Sequence, residues 1–242
     1  MRIFVAGATG AIGRRLIPLL LADGHSVTGT TRSAAKAADL EAQGAAPVVV
    51  DVFHAGALRD AVVNSRPEIV IHQLTDLSQV LDPAQMAASR QRNTRLRVEG
   101  TANLVAASLK AGVRRLIAQS IAFAYAAAPE PHAETDALAS PEGEDPSAVT
   151  ARGVRALEDA VLGASGIEGI VLRYGRLYGP GTWYAAATGK GSLHVDSAAH
   201  AALLAVKRGA AGIYNIAEDD GALVIEKARR ELGFDPEFRL KA

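Results

Sequence analysis

The stretch VAGATGAIGRRL, residues 5–16, constrains this chain more than any other. It sets Gly7, Gly10 and Gly13 between a strand-like run, RIFVA, and an amphipathic helical pattern. Glycine allows a tight turn and lets a pyrophosphate approach the backbone, while a helix starting near Ala11 aims free N–H groups and a positive dipole end at the phosphates. Strand, glycines and helix in that order, at the head of a repeated βα pattern, are the context in which this spacing marks a dinucleotide site. Gly7, Thr9, Gly10, Ala11, Ile12 and Gly13 are therefore read as cofactor-binding. The alternative is that the glycines serve only the turn and close helix packing.

The rest of the chain repeats the alternation. Strands are expected at 2–6, 26–30, 47–51, 68–73, 114–119, 169–174 and 212–217, with helices at 11–23, 33–43, 55–65, 83–111, 147–163 and 196–208. Gly24, Gly44 and Gly112 stand where helices should stop. The class is α/β, a Rossmann-type doubly wound parallel sheet. Residues 1–180 form its dinucleotide-binding part, and 181–242 hold its last strand and helix elements with the remnant of a C-terminal substrate lobe. Residues 126–147 carry four prolines and six acids without periodicity, a lid or binding loop on one reading and a solvated excursion on the other.

Charge excludes some functions. Lys and Arg total 26 and Asp and Glu total 26 with no cysteine, so no basic face suggests nucleic acid or anionic lipid. No disulfide framework is available, and no apolar run is long enough to span a bilayer. A cytoplasmic protein acting on a small molecule is expected. The scattered histidines give no metal-ligand spacing.

About 20 residues past the glycines, an acid gripping the ribose 2′-hydroxyl would mark NAD. That acid is missing. Thr31, Arg32 and Ser33 stand there instead, suited to a 2′-phosphate, so NADP(H) is expected to be preferred, with NAD(H) possible. An exposed arginine without a ligand is the plainer alternative.

The order GATGAIG, Asp51-Val52, VIHQL, VEGTANLV, QSIAFAY, LRYGRLYGPG and LHVD resembles the extended and atypical branch of the short-chain dehydrogenase/reductases, the NAD-dependent epimerase/dehydratase family. The likeness runs from Met1 to about Phe234. It implies that Asp51 and Val52 bracket the adenine, that Gln73, Leu74 and Thr75 line the ribose and nicotinamide side, and that Tyr174 lies near the nicotinamide. It also implies Ser120 as catalytic serine, and Trp183 and Tyr184 at the substrate rim. In that family a tyrosine four residues before a lysine passes the proton. Here Thr150 and Val154 occupy those two places, and Arg155 is turned about 100° away around the helix. The asparagine usual before the central Gly-Thr is Arg97, with Asn93 one turn earlier. Tyr125 is the leading replacement acid, with Tyr178 and Tyr184 behind it.

Two functions remain open. One is an NAD(P)-dependent oxidoreductase or epimerase/dehydratase-like enzyme acting on a small polar or sugar-like substrate. The other is a non-catalytic NADP(H)-binding redox sensor. A deep pocket presenting Ser120 and a tyrosine hydroxyl separates them. The helices at 83–111 and 147–163 imply a C2 homodimer. Segments 185–192 and 220–226 are short for the fold, and chain interruptions are expected there.

Overall fold

The computed structural model describes residues 1–78 and 82–240. The last two residues of the 181–242 range therefore lie outside the described residues. Seven parallel strands form the main sheet: β1 (Arg2–Ala6), β2 (Ser26–Thr31), β3 (Ala46–Val49), β4 (Ile69–His72), β5 (Arg115–Ile121), β6 (Glu168–Tyr174) and β9 (Gly212–Ile216). Their order is β3-β2-β1-β4-β5-β6-β9. The chain moves outward from β1 and then returns to its other side at β4, which opens a crevice at the carboxyl ends of β1 and β4, the place where such sheets hold ligands.

Parity builds two cores. Ile3 and Val5 join α1 (Ala11–Ala22) and the alanine-rich α7 (Val195–Lys207) on one face of the sheet. Phe4 and Ala6 join α3 (Ala55–Ser65), α5 (Thr101–Lys110) and α6 (Pro146–Leu162) on the other. Small alanines let α7 lie close against α1. Gly24, Gly44 and Gly112 end their helices at φ of 77°, 92° and 70°, as expected of left-handed stops.

Four features depart from the sequence pattern. The third strand is shorter than 47–51 and lies at the sheet edge, where Val49 is exposed. The helix over 83–111 is α4 (Pro83–Arg95) joined to α5 through a π-helical turn, Leu96–Gly100. A separate two-stranded parallel sheet pairs β7 (Arg176–Tyr178) with β8 (Ser192–His194). A final helix, α8 (Glu226–Leu232), follows β9. The second helix, α2 (Ala34–Ala42), is capped by Ser33.

Residues 126–147 form a strap bonded to the body around 132–139, while 127–131 and 142–147 are exposed. Val224 N donates to His132 O at 2.9 Å. Arg155 donates to the carbonyls of Leu138 and Ala139, and Arg152 to those of Pro141 and Gly143. The two abbreviated segments are ordered turns, not interruptions, and they are bonded to each other, with Gly191 N donating to Asp220 Oδ2 at 2.8 Å. Among the described residues no helix is long and apolar enough to cross a membrane.

Candidate functional site

The three glycines divide the work of the first turn. Gly7 has φ 90°, and a Cβ there would lie 2.6 Å from Gln73 O, so only glycine lets the first loop press against the end of β4. At Gly13 a Cβ would lie 2.3 Å from Gly7 O, so glycine lets α1 close on the loop. Gly10 is the helix N-cap residue and meets only Gly7 O at 3.4 Å, leaving its outer side on open space. The first-turn N–H groups of α1 lack intrahelical acceptors and face outward beside it.

A cavity of about 110 Å³ opens there, lined by Gly7, Thr9, Gly10, Thr31, Arg32, Asp51, Val52, Leu74 and Thr75 among others. A second space beside it is bounded by Arg32, Asp51 and His54. Gly7, Thr9 and Gly10 of the loop thus come together with Thr31, Arg32, Asp51 and Val52, whereas Ala11, Ile12, Gly13 and Ser33 are not part of this lining. Thr31 Oγ1 accepts from Ser33 N at 3.1 Å, and Ser33 Oγ accepts from Lys36 N, so Ser33 serves chiefly to cap α2. Arg32 is over half exposed and reaches Asp76 only at 3.8 Å, which leaves its guanidinium available to a phosphate. Gln73 is buried, its Nε2 donates to Tyr174 Oη at 3.4 Å, and its Oε1 has no partner among the described residues. A buried acceptor without a donor is costly. A ligand amide or hydroxyl would satisfy it, so the donor set and the glycine cradle fit a nicotinamide dinucleotide.

The other half of the site is closed. Ser120 is fully buried, and its hydroxyl donates to Glu158 Oε1 at 2.7 Å. Glu158 also receives Nε and Nη2 of Arg173, at 2.9 and 2.7 Å. Arg173 Nη1 donates to Tyr125 Oη, which donates in turn to Asn215 Oδ1 at 2.6 Å. Asn215 Nδ2 then reaches the carbonyls of His132 and Val224, completing a buried polar network under the strap. Burial raises the Tyr125 pKa, outweighing the lowering by Arg173. Thr150 donates back to Pro146 O at 2.7 Å. Val154 is fully buried and clusters with Ile121, Ala124 and Leu138. Tyr174 is sealed in the core with its hydroxyl on Ala198 O, and burial pushes its pKa up, so it forms a wall behind Gln73 and does not face the cavity. Ser120 and Tyr125 therefore hold their hydroxyls on protein partners, and neither lines the cavity beside the glycine loop.

The rim closes from above. Trp183 Nε1 donates to Ser78 O at 2.9 Å, bridging the loop after β4 to the loop after β7, and Tyr184 is partly exposed beside it. A Cβ at Gly181 would stand 3.8 Å from Ala11, so the rim lies beside the start of α1. Sequence reading missed Thr30, whose hydroxyl accepts from Gly7 N at 3.3 Å, and Phe53, which lines the cavity under Arg95. It also missed His72, sealed at the end of β4, where Nδ1 accepts from Leu74 N and Nε2 meets Thr101 Oγ1. Burial first, and Arg97 second, draw its pKa down to about 4. An odd hydrophilic residue in the apolar run IVIH was the available signal for it.

Residues 7–206 match a family described as NAD(P)H-binding. The 3-diazoavenalumate denitrifying reductase of a Streptomyces species is 41% identical over 242 residues, covering 92% of this chain and 77% of that protein. Among solved structures, the UDP-glucose 4-epimerase of Thermotoga maritima with UDP-glucose superposes with a TM-score of 0.79 at 20% identity, over 99% of this chain and 94% of the other. A dTDP-glucose 4,6-dehydratase of Streptomyces venezuelae with NAD bound gives 0.78 at 19% identity, over 99% and 93%. At those identities the two structures show a shared fold.

Proposed function

The chain belongs to the NAD(P)H-binding family, as an oxidoreductase-like enzyme of Rossmann fold, and from that premise we propose that it is an NADP(H)-preferring reductase that needs no protein acid. The carrying observation is the buried cluster of Val154 with Ile121, Ala124 and Leu138 where a proton-passing pair would stand. Ser120, Tyr125 and Thr150, the three hydroxyls that resemblance or position nominated for catalysis, are each committed to another protein group.

A carbonyl that accepts hydride becomes an alkoxide and must be protonated. The cofactor, when bound, supplies a hydride, and at a carbon bearing a diazonium group the new C–H bond replaces a C–N bond whose electron pair leaves with N2, so no proton is required. The 41%-identical relative is a denitrifying reductase, and its named substrate is a diazo compound written as an acid anion. This supports a diazo-bearing acid, in preference to a sugar nucleotide, as the substrate class.

In this reading Gly7, Gly10 and the first turn of α1 hold the pyrophosphate. Thr9, Thr31, Arg32 and the Ser33 region surround the 2′-phosphate, and Asp51 and Val52 flank the adenine. Gln73, Leu74 and Thr75 orient the ribose and nicotinamide, Trp183 and Tyr184 cover the substrate, and the apolar cluster keeps water away. The exposed Val98, Leu109 and Leu162 lie on the helices expected to pair, and a C2 homodimer is proposed with them. Light scattering giving a monomer at micromolar concentration overturns that pairing.

The test follows NADPH absorbance against a panel of aryl diazonium acids, aldehydes and sugar nucleotides. NADPH consumption matched by N2 release with the diazonium acids supports the reading. Faster turnover of a carbonyl or sugar substrate overturns it. Tight NADPH binding with no turnover of any panel member favours the sensor instead.

A further inference from the structure

Arg97 carries a charge that the network around it does not use. It sits in the π-helical turn Leu96–Gly100 between α4 and α5. The extra residue in such a turn widens the helix and re-aims its side chains, and π-turns inside α-helices concentrate at functional sites. The neighbouring helix makes room for the side chain. At Gly153 on α6 a Cβ would stand 3.3 Å from Arg97 Cδ and 3.1 Å from Thr94 Cα. Gly153 adjoins Val154, where the family resemblance would have placed a lysine. A cation absent from α6 is thus supplied from the helix beside it.

Arg97 is 5% exposed. Among the described residues no acceptor lies within hydrogen-bonding distance of its guanidinium, and none of its nitrogens is sealed from solvent. The side chain is enclosed along its whole length, and its guanidinium keeps only a thin edge of accessible surface. Its surroundings are short of negative charge. Glu158 is within electrostatic reach of Arg97, but its two oxygens are already bonded by Ser120 and Arg173. Two guanidiniums therefore face one carboxylate, leaving one positive charge in excess. His72, nearby, is held neutral partly by that charge. Burial draws the Arg97 pKa down to about 10, which still leaves it charged at neutral pH. An unpaired buried charge is unfavourable unless an anion meets it.

We propose that Arg97 anchors a carboxylate of the substrate. The proposal rests on the reductase reading above and adds the group by which the substrate is recognised. The anions of the cofactor are provided for elsewhere: the pyrophosphate falls to the α1 N-terminus and a 2′-phosphate to Arg32. A carboxylate offers two acceptors to the planar fork of the guanidinium, and that geometry distinguishes arginine from lysine.

The test uses trans-cinnamate and its neutral isostere trans-cinnamamide, titrated by calorimetry into protein saturated with NADP+. The parent is expected to bind the acid at least tenfold more tightly than the amide. Arg97→Met and Arg97→Gln should bring that ratio close to one, and Arg97→Lys should retain part of it. NADP+ affinity should stay within twofold in all three variants. Should the Arg97 variants fail to fold, Gly153→Ala keeps the arginine while pressing on its stem, and it should lower the same ratio. A parent that binds NADP+ but does not prefer the acid, or an Arg97→Met variant that keeps the full preference, overturns the proposal alone. A parent that binds no NADP+ overturns the reductase reading, and this proposal falls with it.

Discussion

The half of the sheet formed by β1–β4 and the half formed by β5, β6 and β9 are built from the same alternation of strand and helix, yet they point their polar groups in opposite directions. Around β1–β4, backbone N–H groups and the side chains of Thr9, Thr31, Arg32 and Asp51 border an open cavity. Around β5 and β6, Ser120, Glu158, Arg173, Tyr125 and Asn215 bond to one another beneath the 126–147 strap. In the proposed reading, binding a dinucleotide and passing a proton are separable properties of this fold. The first rests largely on backbone geometry, which glycine enforces. The second rests on a few hydroxyls, and a single change of partner turns each of them inward.

The largest effect should come from the closed half. Arg173→Met leaves Glu158 without its buried cation and should destabilise the protein by about 3–5 kcal/mol, measured by denaturant unfolding, while the folded fraction keeps its NADPH affinity. A loss below about 1 kcal/mol, no more than an exposed ion pair contributes, would mean that the network is not what holds that half together. Next is pH. Burial draws the His72 pKa down to about 4 from the ordinary histidine value of 6.5, so below pH 6.5 the unfolded chain takes a proton that the folded chain refuses. Its contribution is fully present above 6.5, falls as pH drops toward 4, and is flat below that. The total is about 3 kcal/mol at roughly 1.4 kcal/mol per unit. His72→Gln should flatten the stability profile between those limits relative to the parent, and parallel profiles would contradict the assignment.

In the open half, Arg32→Ala should weaken NADPH by about 1.5–3 kcal/mol, tenfold or more, through loss of a charge-assisted contact. NADH should be nearly unaffected. Equal losses for both, or tighter NADH binding by the parent, would remove the 2′-phosphate from Arg32. Gly7→Ala should cost about 1–3 kcal/mol in thermal stability, since its φ of 90° and the 2.6 Å approach to Gln73 O leave no room for a methyl. It should weaken both cofactors together, the opposite signature to Arg32. A variant that melts and binds like the parent would show that the loop can shift away from β4.

What the sequence disclosed follows the same division. The glycine loop, the main-sheet strands and the Asp51, Leu74 and Thr75 lining were legible because each depends on local periodicity or on a residue type that no other can replace. Ser120 shows where that stops. Motif order placed a serine at the end of β5, but which of two adjacent strand residues faces a ligand is set by parity, and Ser120 falls on the side of its register partner Arg173. Tyr174, expected beside the nicotinamide, is likewise sealed behind Gln73. The pairing of β7 with β8 was hidden because each strand has only three residues, too few for an alternation to register. Arg97 was noticed only as a departure from an asparagine. Its burial depends on the π-turn and on Gly153, some fifty positions apart in sequence and joined only by the fold.

The bond from Gly191 N to Asp220 Oδ2 has a bearing on how readily this scaffold could be enlarged. It ties two surface turns side by side, so each turn already leaves the body and returns within a short distance, and Gly189 and Gly221 at their tips have open space around them. Lengthening a loop whose ends are fixed adds only about 0.6 kcal/mol of closure entropy for each doubling. Segments grafted at the two turns would emerge next to each other and could pack into a common lid. The turns are thus adjacent ports for recombination, through which a new recognition module could be installed without touching any residue that lines the cavity beside the glycine loop.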